Sequence, residues 1–170
     1  RREWGDGHHA IPEGLNNRTT IFDNENDDLH KNAGVNLLRR LESHLPLYLV
    51  IIMLGTNDLK PDLINSLSIA CGAGALLDIV ANLPKLFLDG PPEQLSHLVA
   101  LTEAANLLTD PIADGAEKSL DLAENYREIA ETRDCYFMAA SQHIKSSDVS
   151  GVHLMADQHE IFGITVAAKL

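Results

Sequence analysis

Two short polar segments, far apart in the chain, carry residue types that together could drive acyl chemistry. The first is Gly55-Thr56-Asn57-Asp58, directly after the apolar run LVIIML at 49–54. The second is Ser150-Gly151-Val152-His153-Leu154, shortly before the C-terminal segment. An Asn at a strand end can aim an amide N–H at a developing oxyanion, and a loop His can take a hydroxyl proton. An Asp in such a turn accepts backbone N–H bonds and orders it. Read one at a time, the plainer assignments are preferred: Asn57 caps a turn and His153 is an ordinary loop histidine.

The elements that must position them alternate between strand and helix. A short strand is expected at 9–11, leading into a loop at 12–20. An acidic, Asn-rich segment at 22–28 precedes a helix over 29–43, where Val35, Leu38 and Leu41 keep helical spacing. The run 47–54 suits a strand covered on both faces, and in an open α/β sheet the carboxyl end of such a strand is where ligands bind. A helix over 62–83 follows, its middle weakened by Gly72 and Gly74. The run 85–88 reads as a strand stopped by Asp89-Gly90-Pro91-Pro92. Helices are expected over 94–108 and 116–132, a strand over 135–139, a loop over 146–153 and a helix over 156–170. Strands alternating with helices predict a parallel sheet flanked by helices in one domain spanning 1–170.

Composition narrows the function class. The chain has 170 residues, 45% of them hydrophobic, and a net charge of −12. No Lys/Arg surplus exists to displace counterions from a phosphate backbone, which argues against nucleic acid, and the acidity also argues against an anionic membrane surface. No stretch reads as the ~18–20 apolar residues of a membrane span. Cys71 and Cys135 match no metal or redox spacing and read as buried thiols. No Asp/His/Cys cluster has metal-ligand spacing, and no cofactor is expected. The N-terminus, Arg-Arg-Glu-Trp, is not a signal peptide and begins without Met. Location in the cell does not follow from it, the cytoplasm being the default.

Taken together, the motifs resemble those of the SGNH (GDSL-type) hydrolases, in their short-chain arylesterase and acetylesterase branch. Gly55-Thr56-Asn57-Asp58 is similar to that family's third block, and Ser150-Gly151-Val152-His153-Leu154 to its fifth, usually Asp-Gly-Val-His-Leu. The loop Ile11-Pro-Glu-Gly-Leu-Asn-Asn-Arg-Thr-Thr is similar to the second block, and Lys85-Leu-Phe-Leu with Pro91-Pro92 to the strand and loop between blocks three and five. The resemblance runs from about His9 to the C-terminus.

It implies a three-layer α/β/α sandwich, flavodoxin-like, with a central parallel sheet, and a serine esterase that hydrolyses or transfers short acyl groups through an acyl-enzyme. Asn57 and the Asn17 N–H would supply the oxyanion hole and His153 the general base. Gly14, Asp58 and Arg18 would lie on the substrate side. The chain departs from the pattern in three places. Asn17 stands where the family has a glycine, although Asn tolerates left-handed backbone. Ser150 stands where the triad acid belongs, with Asp148 nearby as a substitute; a hydroxyl cannot stabilise imidazolium as a carboxylate does. The first block, which carries the nucleophilic serine on the N-terminal strand, has no match, so that strand reads as missing.

Ser141, Ser146, Ser147 and Ser150 are poor replacements, being too close in sequence to the base. Two readings follow. One is an esterase acting on small ester substrates, its nucleophile supplied from outside these residues; the other is a catalytically degenerate domain that binds a ligand or self-associates as a homo-oligomer. Exposed apolar loops such as 95–101 would favour self-association.

Overall fold

The computed structural model describes residues 9–23, 29–59, 64–86, 96–101, 115–148 and 151–169. The fold is α/β. Three parallel strands, β1 (Leu49–Ile52), β2 (Ser96–Leu101) and β3 (Tyr136–Ala139), form a sheet in the order β1-β2-β3. Leu49 lies opposite Ser96, and Leu98 opposite Tyr136. The helices are α1 (Ala33–Ser43), α2 (Ser66–Leu86), α3 (Gly115–Leu120), α4 (Leu122–Glu131) and α5 (Ala156–Ala167).

Strand alternation sends neighbouring side chains to different clusters. Val50, Ile52 and Phe137 join the larger core with residues of α1, α2 and α4, whereas Leu49 and Met138 pack with Phe162 and Val166 of α5. Within α2 the buried positions Ile69, Ala70, Ala73, Leu76, Leu77, Val80 and Leu83 recur at three- and four-residue steps, which makes one continuous apolar face. Gly72 and Gly74 do not break the helix. A Cβ at Gly72 would lie 2.5 Å from Thr20 Oγ1, and one at Gly74 would lie 2.9 Å from Arg133 Cζ. Both glycines let neighbouring side chains approach the helix closely.

The first turn of α1 is capped by another loop rather than by its own N-cap side chain. Ala33 N–H donates to Thr19 O at 3.3 Å and Gly34 N–H to Thr20 O at 3.2 Å, while Thr19 N–H donates to Lys31 O at 3.1 Å. These bonds satisfy helix-end donors that have no intrahelical partner. They also fix the 17–20 loop against the helix.

Several expectations are corrected. The strand nearest the middle of the chain is Ser96–Leu101, inside the segment expected as a helix over 94–108; parallel neighbours on both sides override its helix-like leucine spacing. The apolar stretch read as a self-association loop is therefore largely a central strand. Lys85 and Leu86 end α2 instead of starting a strand, and 87–88 lie outside the described residues. His9 to Ile11 forms no strand. The helix expected over 116–132 is broken at Asp121 into α3 and α4.

Val35 is 58% exposed, and Ala33 and Leu37 fill the inner face of α1 in its place. Cys71 is exposed, because it falls one residue off the buried stripe of α2; Cys135 is half-buried. Ser66–Leu83 of α2 is long and apolar enough to cross a membrane by length and composition, against the sequence reading, and half of it is buried in the core. Residues 1–8, with the Gly-Asp of the N-terminal segment, lie outside the described residues, as do 24–28 and Ser150.

Candidate active site

The carboxyl end of β1 runs through Met53 and Leu54 to Gly55, then into a short 3-10 turn, Thr56–Leu59. Gly55 has φ +123°, and a Cβ there would sit 2.6 Å from the Tyr126 hydroxyl. Only glycine fits this combination. Tyr126 is 1% exposed, and its hydroxyl donates to Leu54 O at 3.3 Å. Burial, reinforced by the Asp58 charge, pushes that phenol far above its ordinary range.

The next two side chains clamp the 17–20 loop from below. Asp58 is buried at 3% exposure, and its two oxygens accept the Thr20 N–H at 3.0 and 3.1 Å; Oδ1 also accepts the Thr20 hydroxyl at 2.8 Å. Asn57 Nδ2 donates to the Arg18 carbonyl at 3.0 Å. One of its two amide hydrogens is thereby committed, and this orients the other. Asn17 has φ +60°, the left-handed backbone that the glycine-to-Asn replacement demands.

His153 belongs to a loop that closes on itself. Ser147 N–H donates to His153 O at 2.7 Å, and Gly151 N–H, at φ +68°, donates to Ser147 O at 2.7 Å. Gln158 Oε1 accepts Lys145 N–H at 3.0 Å and fastens the loop to α5.

These three loops border one cleft of about 710 Å³, a volume typical of a small-molecule site. Gly14, Asn17, Arg18, Asn57 and His153 all line it, and so do β1 and the two residues after it, Met53 and Leu54. Asp58 does not line it and acts from behind, as the organiser of the turn. Asp148 is exposed, away from the lining, and makes no hydrogen bond or ion pair with a described residue. Ser146 and Ser147 are buried, and neither they nor Ser141 line the cleft. Among the described lining residues the sole side-chain hydroxyl is that of Thr56. Among the described residues, no group of three His, Cys, Asp or Glu could hold a metal ion.

A cationic cluster on the cleft wall escaped the sequence reading. Glu13 and Arg18 flank the loop that resembles the second block, and a carboxylate and a guanidinium five residues apart could pair across it. Instead, the Glu13 carboxylate bonds to Arg40 Nη1 and, at 2.8 Å, to His44 Nε2; Arg18 Nη1 reaches only the Glu13 backbone carbonyl, at 2.6 Å. The His44 hydrogen bond, with the Arg40 charge behind it, holds the Glu13 carboxyl below its ordinary value. The available signal was the four-residue spacing of Arg40 and His44, which places both on one side of α1. His159 of α5 also lines the cleft unforeseen.

An aryl esterase from M. Smegmatis, solved in an inhibitor-bound form, superposes with a TM-score of 0.91 at 30% identity, over 99% of this chain and 80% of that one. A carbohydrate acetylesterase from Sinorhizobium meliloti superposes with a TM-score of 0.87 at 36% identity, over 99% and 80%. The chain belongs to the SGNH hydrolases. Within them it stands with the aryl esterases and carbohydrate acetylesterases, enzymes of the carboxylic ester hydrolase class. About a fifth of each of these two relatives has no counterpart in the 170 residues. Neither the protein-family models nor the curated proteins contain a match to the sequence.

Proposed function

We propose that this SGNH hydrolase is a serine esterase that cleaves short acyl esters through an acyl-enzyme. The observation that carries the reading is the convergence of Asn17, Asn57 and His153, from three loops, on one cleft at the carboxyl end of β1. The His153 imidazole takes the proton of a serine hydroxyl as its oxygen attacks the ester carbonyl. The Asn57 amide and the Asn17 N–H hold the resulting oxyanion. The protonated imidazole then gives its proton to the departing alcohol, and water repeats the sequence to release the acid. Ser150 stands where the triad acid belongs, the exposed Asp148 lying away from the cleft lining, and Gly14 and Arg18 contact the substrate.

The nucleophile comes from a strand outside the 170 residues. Among the described strands β1 has a neighbour on one side only, and its residues line the cleft together with Met53 and Leu54. A parallel strand seated there would carry its serine toward Asn57 and complete a three-layer α/β/α sandwich. The greater length of the relatives supports this. A second reading, a degenerate domain that binds ligand without turnover or self-associates, is favoured by the lack of a serine among the described lining residues and by the exposed position of Asp148. Intact mass before and after a fluorophosphonate probe separates the two. One label on a protein heavier than 18.6 kDa supports the esterase. An unlabelled protein of that mass supports the degenerate domain.

A further inference from the structure

Arg18 is only 8% exposed, yet its Nε and Nη2 have no hydrogen-bond partner; Nη1 alone is engaged, by the Glu13 carbonyl. Buried donors left open are costly unless something accepts from them. Arg40 repeats the pattern, with Nη1 on Glu13 and a buried Nε that has no partner. Both arginines and His44 line the cleft that holds Asn17, Asn57 and His153. Both Glu13 oxygens are taken, one by Arg40 and one by His44. Of the two guanidiniums only that of Arg40 is therefore paired with this carboxylate, in a chain whose net charge is −12. That surplus is local and does not extend from a basic surface.

The open atoms suggest the ligand. Nε and Nη2 form one edge of the planar guanidinium, and that edge matches the two oxygens of a carboxylate. Arg18 is also the residue whose carbonyl receives Asn57 Nδ2 at 3.0 Å. The side chain offered to a carboxylate and the amide offered to an ester carbonyl therefore belong to adjoining parts of one cleft.

We propose that Arg18, backed by Arg40, forms an anion subsite for a carboxylate carried on the acyl half of the substrate, so that half-esters of short dicarboxylic acids are preferred. The substrate clause rests on the esterase reading; the anion site itself does not. Isothermal titration of the full protein with succinate and with its uncharged analogue succinamide tests the site. Succinate should bind at least about tenfold more tightly. Arg18→Met should remove that difference, Arg18→Lys should keep part of it, and Arg40→Met should weaken it several-fold. Equal affinities for the two probes, or wild-type succinate binding in both Met variants, would overturn the site. If Arg18→Met fails to fold, Arg18→Lys and Arg40→Met decide. Turnover of methyl acetate against monomethyl succinate separates the two claims. Succinate binding without turnover of either ester sinks the esterase reading alone, and turnover of both at equal kcat/KM sinks the carboxylate preference alone.

Discussion

The clamp between Asp58 and Thr20 provides the sharpest test of how the site is held. Asp58→Ala removes a carboxylate that accepts from the backbone N–H and the hydroxyl of Thr20, at 2.8–3.1 Å, in a site where Asp58 is 3% exposed and Thr20 is fully buried. A hydrogen bond to a charged group contributes about 1.5–3 kcal/mol, and a buried donor left open costs about 1–3 kcal/mol. Releasing the carboxylate from burial recovers part of that sum, so a net loss of about 3 kcal/mol is expected. For a domain of this size that is a fall of roughly 6–12 °C in Tm. Asp58→Asn keeps the volume but turns one acceptor into a donor facing the Thr20 N–H. It should recover less than half of the loss.

Urea unfolding of Asp58→Ala, Thr20→Ala and the double variant measures the link directly. The two substitutions should be coupled by about 1–2 kcal/mol. An Asp58→Ala loss below about 0.5 kcal/mol, or losses that simply add, would refute the clamp.

Further outcomes concern neighbouring groups. Asn57→Ala should lower kcat about 10²–10³-fold with little change in KM, as expected when an oxyanion donor acts mainly in the transition state; steady-state kinetics on a short acyl ester in the complete enzyme measures it. The Glu13 carboxyl is held below its ordinary value of 4.5 by His44 and Arg40, so its stabilisation is present above about that pH and is lost as pH falls through the lowered value. Glu13→Gln should accordingly flatten the acid side of a Tm-against-pH profile. Gly55→Ala meets both a φ of +123° and the Tyr126 hydroxyl at 2.6 Å, and should cost more than about 2 kcal/mol in thermal unfolding. In a thiol-reagent time course, the exposed Cys71 should react first, while burial pushes the Cys135 thiol up and slows it.

The part of the site that was legible in the sequence is the part made by short-range chemistry. Asn57, Asp58 and Asn17 sit in turns whose residue types state their backbone needs, and the apolar run before Gly55 identifies a strand end without reference to the rest of the chain. The strand order was less accessible. The segment 96–101 contains a single β-branched residue and leucines at helical spacing, and its pairing with β1 and β3 makes it a strand.

The Glu13, Arg40 and His44 cluster could not be read from spacing alone, because it joins a loop to α1 across 27 and 31 residues. Its existence depends on the capping of α1 by Thr19 and Thr20, which brings the loop and the helix face together. The same capping carries Arg18 inward, where its guanidinium loses water faster than it gains partners. The clamp that shapes the proposed oxyanion donors and the packing that leaves Arg18 underbonded are thus one arrangement. A substitution that loosens Thr20 should weaken both the Asn57 amide and the proposed carboxylate subsite, whereas Arg40→Met should reach only the subsite.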